Sequence, residues 1–211
     1  MNDKETKRSC IDCAVTACNG KGGMFPDFCP TCELDPEKLE SAVRLYIDDE
    51  ENSAVMKAAA EVEAENYCRM TRIEEIAEFA SKTGARKLGI ATCVGLISEA
   101  RTAAKIFRHK GFEVVGAACK IGAQPKVSVG IDERCCDVGP NICNPIMQAK
   151  LLNEEKTDLN VVIGLCVGHD SLFYKYSDAL CTTLITKDRV LGHNPAAALY
   201  QANAYYSKLL K

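Results

Sequence analysis

Apolar residues recur along this chain with two different periods, and the change of period falls near Arg86. Ahead of it the spacing is helical. Asp35-Pro36 reads as a helix start, with Asp as the cap and Pro at the first helical position, where its missing N–H leaves nothing unpaired. Leu39, Val43, Tyr46 and Ile47 then share one face. A second stretch begins near Asn52 and carries Val55, Ala59, Val62, Met70, Ile73, Ile76 and Ala80 at helical spacing until Thr83-Gly84 closes it. Its length predicts two helices, or one that bends.

Beyond Arg86 short β-rich runs alternate with helices, the pattern of a parallel sheet with crossover connections. The runs are Lys87 to Cys93, Phe112 to Cys119, Leu159 to Cys166 and Ala179 to Thr186. Leu96, Ala100, Ala103, Ala104 and Phe107 place an amphipathic helix between the first two, stopped by Gly111. Further helices are expected from Asn144 to about Glu154 and from Asn194 to Leu210. The fold class is therefore α/β: a Rossmann-like open parallel sheet of about four strands with flanking helices. Residues 1–34 form a Cys-rich module, 35–84 a helical arm and 85–211 the α/β domain.

Composition changes this picture at one residue type. The chain of 211 residues is average in apolar and charged content but holds 13 cysteines. An odd number cannot all pair within one chain. The polar start from Met1 to Ser9 lacks an apolar signal region, so a cytoplasmic location and reduced thiols are expected. Spaced cysteine pairs in that setting point to metal binding or thiol chemistry. No apolar run approaches the roughly 18 residues needed to span a bilayer, which argues against a membrane partner. A net charge of -3 argues against nucleic acid as the main partner.

Residues 1–34 have almost no apolar periodicity, so something other than burial must order them. Cys10, Cys13, Cys29 and Cys32 form a C-x2-C-x15-C-x2-C pattern, the spacing of a zinc site in which each pair turns two sulfurs toward one tetrahedral ion. Cys18 is a fifth candidate ligand, and it leaves an iron–sulfur cluster open as the alternative to zinc.

A second set of thiols falls at the predicted strand ends, where ligands bind in open parallel sheets. Cys93, Cys119 and Cys166 close three of the four runs, and Cys143 precedes Asn144-Pro145 at a helix start that would stabilise a thiolate. Ile90-Ala91-Thr92-Cys93-Val94-Gly95 is echoed by Ile163-Gly164-Leu165-Cys166-Val167-Gly168. In a strand order of 2-1-3-4 the two Cys-Val-Gly turns would flank the switch crevice. Cys143, Cys166 and Cys119 are candidate catalytic thiols there, with Lys120, His169 and Asp188 for charge stabilisation or proton transfer. Cys93, Cys119, Cys143, Cys166, His193 and Asn194 are candidates for holding a cofactor. Each strand cysteine taken singly reads first as a small buried hydrophobe, and it is their shared position at the strand ends that points to a site. Cys135 and Cys136 read as a loop pair, and no nucleotide-binding glycine motif is present.

Taken together, the N-terminal cysteines, Cys119-Lys120, Cys143-Asn144-Pro145, Leu165-Cys166-Val167-Gly168-His169-Asp170 and Lys187 to Pro195 resemble an uncharacterised, cysteine-rich family of anaerobic bacteria and methanogenic archaea. The resemblance implies metal binding in an anaerobic setting and implies no reaction. The expected function is a metal-binding protein with an N-terminal zinc-type site and a cysteine-lined cleft for a small-molecule or protein partner. The alternative is an iron–sulfur or thiolate-dependent enzyme of sulfur or redox chemistry.

Overall fold

The computed structural model describes residues 7–211. These divide into two compact units, ending at Lys57 and beginning at Ala58. In the first unit, single 3-10 turns at Cys10–Asp12, Ala17–Asn19 and Pro30–Glu33 lead into helix α1 (Pro36–Asp48). Asp35 caps α1 by accepting from the Glu37 amide at 2.9 Å, with Pro36 at the first position. Helix α2 (Glu50–Asn66) spans the division between the units. It ends before a turn in which Cys68 takes a positive φ of 58°, and α3 (Arg72–Lys82) follows. The second helical stretch is thus two helices. Thr71 and Glu74 form the capping box of α3, and Glu74 holds its carboxyl below the usual range by accepting from the Thr71 hydroxyl.

The second unit holds the sheet, whose strands are β1 (Lys87–Thr92), β2 (Glu113–Ala118), β3 (Leu159–Ile163) and β4 (Leu180–Ile185). All pairings are parallel and the order is β2-β1-β3-β4. The chain runs outward from β1 to β2, then returns past β1 to β3, so the switch point lies between β1 and β3. Right-handed crossovers that run in opposite directions put their helices on opposite faces. Helix α4 (Ile97–His109) and helix α5 (Pro145–Glu154) accordingly both pack on β1 and β2, and α6 (His169–Tyr176) packs on α5. Covered from both sides, β3 is buried at every position, the reason it reads as a continuous apolar run.

The core gathers Leu88, Phe107, Val161, Ile163 and Phe173, with Ile76, Ala77 and Ala80 of α3 among them. Four polar residues are buried with it: Thr92, Gln148, Thr157 and Asn160. Asn160 on β3 is fully buried and is satisfied by the Thr157 hydroxyl at 2.8 Å and the Ser177 hydroxyl at 2.9 Å. Its neighbour across the β1–β3 pairing is Gly89, where any Cβ would run into the Asn160 carbonyl oxygen. At the amino ends of the strands, Lys87 lies between Glu113 and Glu155, at 3.1 and 2.6 Å. The carboxyl ends carry no such plug of ion pairs among the described residues.

Two expectations need correction. The helix expected from Asn194 to Leu210 is cut to α7 (Ala196–Tyr200) followed by turns and a 3-10 segment at Ser207–Leu210. Leu199, Tyr200 and Tyr205 stay 73%, 80% and 83% exposed, so no packed face holds a longer helix, which alone is marginal in water. The third strand stops at Ile163, three residues short of Cys166, because Gly164 turns the chain with φ 65°. The helix between β3 and β4, α6, went unforeseen.

Candidate functional site

Three cysteines are brought into contact at the carboxyl edge of the sheet. Cys93 follows β1, Cys119 follows β2 and Cys143 stands two residues before α5. Backbone bonds fix each one. Cys93 N–H donates to Ile163 O at 3.1 Å, Cys119 N–H to Thr92 O at 2.8 Å, and the Asn144 amide to Cys119 O at 2.7 Å. The central thiol, Cys119, is hydrogen-bonded to both Cys93 and Cys143. The Val94 amide donates to the Cys119 sulfur and the Gly95 amide to the Cys93 sulfur, both at 3.4 Å.

These contacts divide the three thiols into two kinds. Cys119, the donor to Cys143 and Cys93 and itself buried, is pushed well above the ordinary thiol range. Cys93 is lowered to about 5, first by the Cys119 hydrogen bond and then by the Gly95 amide and Lys187. Cys143 is also lowered to about 5, first by Cys119 and then by Lys120 and His169. Cys119 has a single S–H proton and shares it between two acceptors, so the lysines matter for whichever sulfur it is not serving. The shifts favour ionisation of the outer two sulfurs over that of the central one.

Cys166 approaches from the loop after β3. The Arg189 guanidinium donates to its sulfur from Nη2 at 2.9 Å, and this contact raises the Arg189 pKa, helped by the negative charge of Cys93 and Cys143. The expected turn repeat therefore diverges. Cys93-Val94-Gly95 opens a single turn ahead of α4, whereas Cys166 O accepts from the His169 and Asp170 amides at 2.9 and 3.1 Å, at the start of α6.

Of the other candidates, Lys120 and His169 act on Cys143, and Lys120 Nζ also donates to Asn141 O at 2.6 Å. Asp188 has a different occupation: its Oδ1 accepts from the Val190 and Leu191 amides at 2.9 and 2.8 Å, folding the loop that presents Arg189. His193, at φ 67°, accepts on Nδ1 from the Asp188 amide at 3.1 Å. It lines a cavity of about 470 Å³ with Leu96, Glu99 and Leu184. The Asn194 amide bonds back to Leu191 O at 3.1 Å, and the residue is exposed. His193 and Asn194 serve their own loop, and their hydrogen bonds do not reach the thiols.

Gln148 is the site residue that sequence reasoning missed. It is fully buried on α5, and its Nε2 donates to Ala117 O at 2.7 Å and Thr92 O at 3.1 Å, tying together the strand ends that carry Cys119 and Cys93. Its Oε1 has no partner. The signal was present: with Pro145, Ala149 and Leu152 it completes the buried face of α5, as a polar residue at a core position.

In the first unit the pairs behave separately. Cys29 is buried and hydrogen-bonded to Cys32, while the Thr31 hydroxyl holds the Cys29 thiol below its ordinary range and burial pushes Cys32 up. Among the described residues no three His, Cys, Asp or Glu side chains are gathered in a metal-holding group, in this unit or at the sheet edge. Cys10, Cys13 and Cys18 are thus not drawn to the Cys29–Cys32 pair. Chemically the sulfur donors suit zinc; their placement here provides two of the four.

Comparison with known proteins adds a family. Residues 29–184 match the family described as Protein of unknown function (DUF1847), a span that contains Cys93, Cys119, Cys143, Cys166 and Gln148. The chain belongs to this family. Among curated proteins it is similar to Uncharacterized protein MJ0455 of Methanocaldococcus jannaschii, with 46% identity over 162 residues, covering 77% of this chain and 83% of the relative. No solved structure matches. The DUF1847 match begins at Cys29 and ends at Leu184, leaving Cys10, Cys13, Cys18 and the Arg189 loop outside it. Among the described residues no helix is long and apolar enough to cross a membrane.

Proposed function

We propose that the α/β unit works through a thiolate centre in its switch crevice, as a thiolate-dependent enzyme of sulfur or redox chemistry. Cys143 is the nucleophile, Cys119 the proton-holding partner, and Lys120, Lys187 and Arg189 stabilise negative charge. The observation that supports this reading is the contact of Cys119 with both Cys93 and Cys143, which favours the thiolate form of the outer two sulfurs. The test is the pH dependence of alkylation by iodoacetamide on the reduced full chain, with the modified cysteines mapped by mass spectrometry. Cys143 is expected to react at pH about 6, where an ordinary thiol is protonated. A reactivity at Cys143 that rises only through the ordinary thiol range would sink the proposal.

A second reading is favoured by the number of sulfurs. Cys93, Cys119, Cys143 and Cys166 make four, the number of thiolates an iron–sulfur cluster takes, and a cluster there would supply electron transfer. The N-terminal unit in turn is proposed as a zinc module, supported by its cysteine spacing and by the Cys29–Cys32 contact. Zinc, iron and acid-labile sulfide per chain, measured on protein purified without oxygen, decide both. Zinc without sulfide supports the module and removes the cluster; stoichiometric iron and sulfide that are lost on replacing Cys143 or Cys166 by Ser support a cluster in the crevice.

A further inference from the structure

The cations of the crevice have an unusual set of partners. Lys120, Lys187 and Arg189 take part in none of the ion pairs with carboxylates found among the described residues. Each faces sulfur instead: Lys120 meets Cys143, Lys187 meets Cys93 and Arg189 meets Cys166. The nearby acids are engaged elsewhere, Asp188 by the Val190 and Leu191 amides and Asp170 by the Ser171 amide. Three cations thus face the sulfurs of Cys143, Cys93 and Cys166, and none of them is in an ion pair with a carboxylate among the described residues. The amino ends of α5 and α6 open on the same edge and add to the positive side. A small anion can be drawn to such unpaired cations.

An anion that is only neutralised would make no use of the sulfurs. Cys143 is half-buried, whereas Cys93 and Cys119 are 9% and 2% exposed, so an incoming molecule meets Cys143 before the other two. We propose that the crevice recognises a small anion carrying a sulfur–sulfur bond, of the thiosulfate or thiosulfonate class, and that Cys143 takes its outer sulfur. This rests on the thiolate reading above and names the substrate class for that site.

The step balances without any further reactant. The Cys143 thiolate attacks the outer sulfur of thiosulfate, a sulfur–sulfur bond forms on Cys143, and the bond between the two thiosulfate sulfurs breaks. Its electron pair leaves with sulfite. One negative charge on Cys143 and two on thiosulfate become one on the Cys143 persulfide and two on sulfite. Lys120 stays beside the reacting sulfur throughout, and Arg189 and Lys187 hold the departing oxyanion. Cys119 keeps its proton.

The test incubates the reduced full chain with thiosulfate in the absence of oxygen and weighs it by intact-mass spectrometry, with sulfate as the parallel probe. A gain of one sulfur atom per chain is expected with thiosulfate alone, located on the Cys143 peptide and released as thiocyanate by cyanide. Cys143→Ser abolishes the gain, and Cys68→Ser, at an exposed turn cysteine, leaves it intact. Because Cys143→Ser also alters the cluster, a second variant that keeps every sulfur is needed. Lys120→Gln is expected to raise the thiosulfate concentration for half-maximal loading by roughly tenfold, the loss of one charge-assisted contact. No mass gain at Cys143 overturns the inference, as does loading that Lys120→Gln and Arg189→Gln leave unchanged. If Cys143 alkylates at low pH yet takes no sulfur, the thiolate reading stands and this inference alone falls.

Discussion

Cys119 is a thiol whose neighbours Cys143 and Cys93, and then its burial, disfavour ionisation, and as a proton holder it favours the thiolate forms of Cys93 and Cys143. The two lowered thiols and the raised one act on stability in opposite directions. Cys93 and Cys143, with folded values about 5 against 9.0, stabilise the fold in full above pH 9.0 and lose that contribution as pH falls through about 5. Cys119 favours the fold below the ordinary thiol range and works against it above, where the unfolded chain gains an ionisation the fold denies. Stability should therefore climb from pH about 5 to pH about 8, and Cys93→Ser with Cys143→Ser should flatten that climb. Urea midpoints at the two pH values check it, and a slope unchanged in the double variant would contradict the assignment. Gly89 gives a second residue-level prediction. Its alanine variant drives a Cβ into the Asn160 oxygen and should lose about 1–3 kcal/mol in a urea melt, the usual cost of overpacking.

Among the elements, α5 acts as a strut for the site. Asn144 caps it by accepting from the Met147 amide at 3.1 Å, and one turn later Gln148 pins β1 to β2. Asn144→Ala should cost about 1 kcal/mol for the lost cap. Gln148→Leu removes the amide that donates to both Ala117 O and Thr92 O, and should cost on the order of 1–3 kcal/mol. Both are read from denaturant midpoints, and a Gln148→Leu protein as stable as the parent would show that the amide is no tie. Elements of this kind were partly legible in sequence. The Asp35-Pro36 and Asn144-Pro145 starts carry local chemistry that works wherever the helix is placed. The end of β3, α6 and the short α7 were hidden, because they depend on what packs: Gly164 turns where Leu96 fills the space beside it, Phe173 alone anchors α6, and nothing covers Leu199 or Tyr200. At the site, cysteine positions could be read from the strand pattern, but the division of labour among them could not, since it follows from which sulfur lies in the middle.

At the scale of the molecule, the division between Lys57 and Ala58 separates the two cysteine sets. Replacing Cys10 and Cys29 by Ser should remove zinc from purified protein without changing the urea midpoint of the α/β unit, followed by fluorescence of tyrosines such as Tyr174 beside β4. A midpoint that falls with the zinc would show the units to be energetically one. The strand order has a consequence for the newborn chain. Leu88 of the central strand pairs on one side with Val114 and on the other with Leu159, so β1 waits through most of the domain's synthesis for its second neighbour. During that wait Cys93, Cys119 and Cys143 have emerged from the ribosome without the sheet edge that sorts them. An oxidant met then would join them indiscriminately, so the protein's yield should depend on how reducing its surroundings are while it is being made.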